Sequence, residues 1–215
     1  MPTTVIVVRH GQSQSNINGT YTGHMDSPLT DLGHLQAKNT AEYLKDYPIS
    51  AIYSSDLSRA MQTAEPVAKM HGLPIYPDGR LREICCGEWE GKNVAEISLL
   101  YPDNYEMWKT DIYRGRPDGG ESIAEVAIRT ASFMRELLSK HKNECVAIFT
   151  HALAARTISC QWFDMPIEKI RDVPSCTNAS VSIGEYDDDG VPHVLLYGYD
   201  AHQGELSTAL SKGLA

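Results

Sequence analysis

Val5-Ile6-Val7-Val8 is an unbroken β-branched run near the start of a 215-residue chain. Side chains branched at Cβ favour extended backbone, and a run without polar alternation suits a strand covered on both faces. Such strands belong to parallel sheets with helices above and below. Cys145-Val146-Ala147-Ile148-Phe149 is a second buried run, Ala51-Ile52-Tyr53 a shorter one, and Leu73-Pro74-Ile75-Tyr76 a weaker candidate. Helical patterns fill the intervals. Thr30 caps a helix whose Gly33, Ala37, Ala41 and Leu44 share one face. Ser58 is expected to cap the next, with Ala60, Ala64, Val67 and Ala68 buried and Gly72 as the stop; Pro66 should kink or shorten it. Ser122 and Glu125 form a capping box ahead of an apolar stripe from Ile123 to Leu138. A small-residue helix runs from about Ala152 to Trp162. Ala179 to Tyr186 and His193 to Tyr197 flank the acidic turn Asp187-Asp188-Asp189-Gly190, a hairpin signature.

These patterns predict an α/β fold: a three-layer α/β/α sandwich with a mostly parallel central sheet and helices on both faces. One domain is expected over residues 1–215, with no repeat or linker. Residues 92–120 read either as an aromatic lid, through Tyr101, Tyr105, Trp108, Tyr113, Arg114 and Arg116, or as a packed surface loop. In open parallel sheets ligands bind beyond the carboxyl ends of the strands. The first strand ends at Arg9-His10-Gly11, the second at Ser54-Ser55, and the 145–149 strand at Thr150-His151. Two histidines therefore emerge at one edge.

Composition narrows the classes. A hydrophobic fraction of 42% with 22% charged residues fits a globular chain. No apolar run approaches the roughly 20 residues that span a bilayer, and the short apolar stretch before Arg9 lacks a basic leader, so a cytoplasmic protein without membrane partners is expected. The net charge of −9 disfavours nucleic acid as a partner. It does not oppose a small anion, because charges beyond a Debye length of about 8 Å are largely screened. The cysteines are five in number and contain no C-x-x-C pair, which argues against a disulfide framework or a cysteine zinc site. His24, His34, His71, His141, His193 and His202 lack metal-ligand spacing and read as surface or structural.

The remaining motifs carry chemistry. Arg59 sits at a helix start in Asp56-Leu57-Ser58-Arg59-Ala60. Leu81-Arg82-Glu83 and Gly87-Glu88-Trp89-Glu90-Gly91 place carboxylates in a glycine-flanked loop. Taken with Arg9-His10-Gly11 and Thr150-His151-Ala152, and in this order, the set resembles the histidine phosphatase superfamily, which includes cofactor-dependent phosphoglycerate mutase. The motifs run from residue 5 to about 160; the tail after residue 200 carries none.

The resemblance implies roles. His10 would be the nucleophile, Arg9, Arg59 and His151 would surround the phosphoryl group, and Glu83 would be the proton donor. Asn16, Thr22, Gly23 and Ala152 would contact substrate. Gln12 replaces a glutamate common in the family and is given no role. Cys85 and Cys86 depart from the expected apolar and acidic residues and read as buried small side chains.

The residue types suit that chemistry. A phosphoryl group in transfer spreads negative charge over three oxygens, which planar guanidinium forks bind two at a time. A neutral imidazole, with an ordinary pKa of about 6.5, is a competent nucleophile near neutral pH. A carboxyl group can protonate the leaving alkoxide and then activate water. The spacing of Glu83, Glu88 and Glu90 alone does not choose among them; the family motif chooses Glu83.

The expectation is a metal-independent phosphomonoesterase of the phosphatase branch, with no cofactor, acting on a small phosphorylated metabolite; a homodimer is left open. The alternatives are a phosphoglycerate mutase and, ranked below, a non-catalytic phosphate-binding regulator. Two features favour the phosphatase. The segment between the acid loop and Ser122 is shorter than in family mutases, and the acid loop is more like that of the phosphatase branch.

Overall fold

A computed structural model describes residues 2–208. Part of the tail after residue 200, from 209 onward, lies outside the described residues. Six strands form one sheet: β1 (Thr3–Arg9), β2 (Ile49–Ser54), β3 (Ile75–Pro77), β4 (Cys145–Thr150), β5 (Val181–Tyr186) and β6 (Pro192–Tyr199). Their order is β3-β2-β4-β1-β5-β6. The first four are mutually parallel, while β5 runs antiparallel to β1 and β6 antiparallel to β5. The antiparallel pair is the hairpin expected from the acidic turn.

The uninterrupted apolar runs do what their pattern demands. Along β1, Ile6 and Val8 pack with Ala41, Leu44, Ala64 and Val67, the inward residues of α2 (Asp31–Leu44) and α3 (Ser58–His71). Val5 and Val7 face the other way, onto Phe133, Met134 and Leu137 of α6 (Ile123–Lys140) and Ile158 of α7 (Ala152–Trp162). Full burial of each such side chain contributes about 1.5–3 kcal/mol. Helices thus cover both faces, as the expected sandwich requires.

Most helix signals act as read. Thr30 Oγ1 accepts from Gly33 N, and Ser122 with Glu125 completes the capping box. Two expectations on α3 are corrected. The cap position is Leu57, one residue before Ser58, and it gives no side-chain bond; Asp26 Oδ1, from outside the helix, accepts from Ser58 N at 3.1 Å instead. Pro66 neither ends nor shortens the helix, which continues to His71 and stops at Gly72 with φ +66°. Proline removes one helical hydrogen bond, and the packed face of Ala60, Ala64, Val67 and Ala68 holds the turn in place.

Three short helices left no clear pattern in the sequence: α1 (Gln14–Asn18), α4 (Val94–Leu100) and α5 (Pro102–Thr110). The last two make up much of the 92–120 segment. Tyr105, Trp108 and Ile112 close a third apolar cluster around Trp89 and Ile97, so packing is part of what this segment does. Trp89 meets Tyr105 and Trp108 edge-on, with ring centroids 5.9 and 5.7 Å apart. Among the described residues no helix is long and apolar enough to cross a membrane.

Candidate active site

Register brings the two histidines together. β1 and β4 end level, with Arg9 beside Thr150, and His10 N donates to Thr150 O at 2.9 Å. The next residues on each strand, His10 and His151, have ring centroids 5.1 Å apart. Ser55, just beyond β2, meets His151 from the other side.

His10 is 4% exposed. Its Nδ1 lies 2.7 Å from Gly11 O, an acceptor, so Nδ1 carries the proton and Nε2 keeps its lone pair. Gly11 N donates to Thr63 Oγ1 at 3.0 Å, and a Cβ on Gly11 would stand 2.7 Å from Gly33 O. The loop after β1 is thereby pressed against α2 and α3, which fixes the imidazole plane. Burial, and then the neighbouring Arg59 and Arg9 cations, hold the His10 pKa well below the ordinary histidine value. A neutral ring results, with the lone pair on Nε2.

Arg59 is almost fully buried. Its Nη1 and Nη2 donate to Met25 O and Gly23 O at 3.1 and 2.9 Å, and its Nε to His151 Nδ1 at 3.1 Å. Gly23 has φ +50°, and a Cβ there would collide with Glu90 Oε1 and Cys86 N, so the turn that presents its carbonyl needs glycine. Because arginine only donates, His151 Nδ1 is an acceptor here, and Nε2–H donates to Ser55 Oγ at 2.8 Å. His151 is fully buried behind His10 and holds Arg59 in place. Contact with an incoming phosphoryl oxygen would require its Nδ1 to take up a proton. Arg9 Nη1 donates to Cys176 O, while its Nε is buried without a partner. Burial lowers the Arg9 and Arg59 pKa values, opposed by the charge of Glu83; guanidinium remains cationic.

Glu83 reaches across to α7. Its Oε1 accepts from Ile84 N, Leu153 N and Ala154 N at 3.0, 3.2 and 3.3 Å, and Oε2 from Leu153 N at 3.2 Å. His151, at the α7 cap position, gives no side-chain cap. Glu83 supplies one from a distant loop, accepting from N–H groups that the helix itself leaves without partners. Glu90 does different work: its Oε1 accepts from His24 N and Cys86 N at 2.8 and 3.1 Å, tying the Gly23 turn to the acid loop. Glu88 is exposed. The Cys86 thiol is pushed well above the ordinary range by burial and by Glu83 and Glu90, so it stays protonated.

One concave pocket is lined by Arg9, His10, Asn16, Thr22, Gly23, Arg59, Glu83 and Ala152. Every residue singled out from the sequence is there except His151, which stands directly behind. Sequence reasoning missed several others. Asn178 is buried and donates to His10 O at 3.1 Å and Asn16 Oδ1 at 3.2 Å. Arg129 donates to Arg80 O, Arg82 O and Glu83 O at 2.6–2.9 Å and pairs with Glu121. His24, read as surface or structural, holds the acid loop through Nε2 to Glu83 O at 2.9 Å. Arg156, also a pocket residue, had one legible sign: a charge within the small apolar run Ala152-Leu153-Ala154-Ala155. Asn178 had none. Among the described residues no cluster of three or more His, Cys, Asp or Glu is arranged to hold a metal.

Two strand-end histidines, a pair of desolvated arginines and a carboxylate on a helix N-terminus define a site for handling phosphoryl groups. The chain belongs to the histidine phosphatase superfamily (branch 1), whose family model matches residues 5–199. It is 33% identical over 179 residues to Phosphoserine phosphatase 1 of Hydrogenobacter thermophilus, covering 83% of this chain and 84% of that one. It is 34% identical over 184 residues to Phosphoglycerate mutase-like protein 4 of Arabidopsis thaliana, covering 83% and 77%. The solved structure of Bacillus stearothermophilus YhfR superposes with a TM-score of 0.88 at 34% identity, over 93% of this chain and 98% of that one.

Proposed function

We propose that this chain is a phosphomonoesterase that hydrolyses a small phosphorylated metabolite through a phosphohistidine on His10. The observation that carries the reading is the buried His10 ring, proton fixed on Nδ1 by Gly11 O, with Arg9, Arg59 and Glu83 around one pocket. His10 Nε2 attacks phosphorus as the ester P–O bond breaks. Arg9 and Arg59 neutralise the charge on the transferring oxygens in a site drier than bulk water, where such contacts are strongest. Glu83 hands a proton to the departing alkoxide. Its Oε2, with one long bond to Leu153 N, is the freer oxygen for that exchange. Water then attacks the phosphohistidine, Glu83 takes up its proton, and phosphate leaves with His10 restored. Asn16, Thr22, Gly23 and Ala152 contact the ester, and His151 keeps Arg59 in register. All the cations invoked belong to the protein, and the reading includes no metal or cofactor.

Hydrolysis is preferred over a mutase reaction because a mutase must exclude water from the intermediate, the segment between the acid loop and Ser122 that would enclose it is short, and a relative is a named phosphatase. Phosphoserine, named in a relative, heads the esters to try. Turnover is measured across small phosphate esters, with and without 2,3-bisphosphoglycerate, and the intact mass of protein quenched without acid is followed. Phosphate release with a transient phosphoryl adduct is expected. Interconversion of 3- and 2-phosphoglycerate well above the rate of phosphate release would overturn the phosphatase reading in favour of the mutase.

A further inference from the structure

The arginines of this chain divide by environment. Arg80, Arg82, Arg114, Arg116 and Arg129 each face an aspartate or glutamate. Arg135 and Arg171 form no ion pair but are exposed. Arg9, Arg59 and Arg156, the three that line the pocket, form none among the described residues; Arg59 and Arg156 are buried and Arg9 is half-buried. Two of them attend the phosphoryl position. Arg156 stands apart, one helical turn beyond Ala152 on the same side of α7. Residues so spaced have Cβ atoms about 5–6 Å apart.

Arg156 is 5% exposed. Its Nη2 donates to Ile170 O at 2.7 Å, and its Nε is buried with no partner. Among the described residues it forms no ion pair, and the ionisable neighbours that bear on it most are Tyr197, Cys160, Arg171 and Cys176. A buried guanidinium without a counter-charge is costly, and the one hydrogen bond to Ile170 O leaves its Nε unsatisfied. The pocket it lines opens to solvent, so a ligand can supply the missing anion.

We propose that Arg156 determines specificity by binding a carboxylate on the substrate, so that the site takes phosphate monoesters of small hydroxy acids in preference to those of neutral alcohols. The inference rests on the pocket being a phosphoryl site. A carboxylate matches the planar fork and its single charge; a second phosphate brings nearly two charges to one cation. The turn between Ala152 and Arg156 sets the reach, which a short carbon chain spans.

The test uses a matched pair, 3-phosphoglycerate and glycerol 3-phosphate, which differ by a carboxylate in place of a hydroxymethyl group. Calorimetric Kd values are measured on His10→Ala protein, so that no turnover intervenes and binding is read independently of hydrolysis. The carboxylate should bind at least about tenfold more tightly. That preference should fall close to one in His10→Ala/Arg156→Gln and fall partway in His10→Ala/Arg156→Lys, which keeps the charge but not the fork. No preference in His10→Ala, or a full preference retained in either double variant, overturns the proposal. Failure of the hydrolytic reading would show separately, as wild-type protein that releases no phosphate while still discriminating between the two ligands.

Discussion

The two walls of the pocket are built by different means. The phosphoryl wall hangs on backbone: His10 on Gly11 O, Arg59 on Gly23 O and Met25 O, Glu83 on the first N–H groups of α7. It grows from the ends of adjacent strands whose register is fixed by a sheet buried on both faces. The second wall, with Trp108 and Arg156, rests on side-chain packing in the cluster around Trp89 and on the interior of one helix. Backbone anchors leave little room for change, so the first wall suits a single chemistry. Packed side chains can be exchanged one at a time, so the second suits the choice of ester. Variants on either wall put that division at risk.

Removing the nucleophile should have the largest effect. His10→Ala is expected to lower kcat by roughly 10⁴–10⁶-fold, the scale on which loss of a covalent nucleophile acts. Ordinary turnover in that variant would dismantle the phosphoryl wall as described. Glu83→Gln comes next. The amide keeps an oxygen to accept from Leu153 N and Ala154 N, so the α7 cap survives and the proton is what is lost. Poor leaving groups should slow by about 10²–10⁴-fold while nitrophenyl phosphate, which scarcely needs a proton, slows far less. Equal slowing of both would point to a structural role for Glu83.

On the other wall, Trp108→Ala should alter the ranking of esters by about tenfold while phosphohistidine formation from a small activated ester persists. It should also destabilise the protein by about 3–5 kcal/mol, since Trp108 packs on Trp89. An unchanged ranking at lowered stability would leave the 92–120 segment as packing alone. Arg114, by contrast, is exposed and paired with Asp111, and its removal should leave the ranking alone.

The smallest effect is on titration. Burial, Arg59 and Arg9 lower the His10 pKa, and burial and Arg59 lower that of His151. Unfolding returns both to about 6.5. As pH falls below that value the unfolded chain binds protons that the native site refuses, so stability declines toward the folded pKa values. NMR of the His10 Cε1–H should show a neutral ring at pH 6.5, and the unfolding free energy should drop as pH falls from there. A His10 that titrates at or above 6.5 would show that the phosphoryl wall is wetter than described.

Much of the fold is legible in the chain itself. The buried runs at Val5–Val8 and Cys145–Phe149 dictate strands covered on both faces, and caps at Thr30 and Ser122 locate helix starts, because these are rules of local backbone and short-range pattern. The same strands end in Arg9-His10 and Thr150-His151, so a site at one sheet edge follows from sequence order. What the chain alone leaves open is decided by long-range contact. Only the register of β1 against β4 makes the two histidines neighbours. Only the approach of the acid loop to α7 distinguishes Glu83, which caps a helix some seventy residues away, from Glu90, which braces a turn. Arg129 touches the site through backbone carbonyls, and Asn178 through the His10 carbonyl and a side chain 162 residues away; neither contact carries a sequence signature. Pro66 shows the limit from the other direction: a local rule foretells a kinked or shortened helix, yet the helix keeps its full length to His71 with one face packed against the sheet.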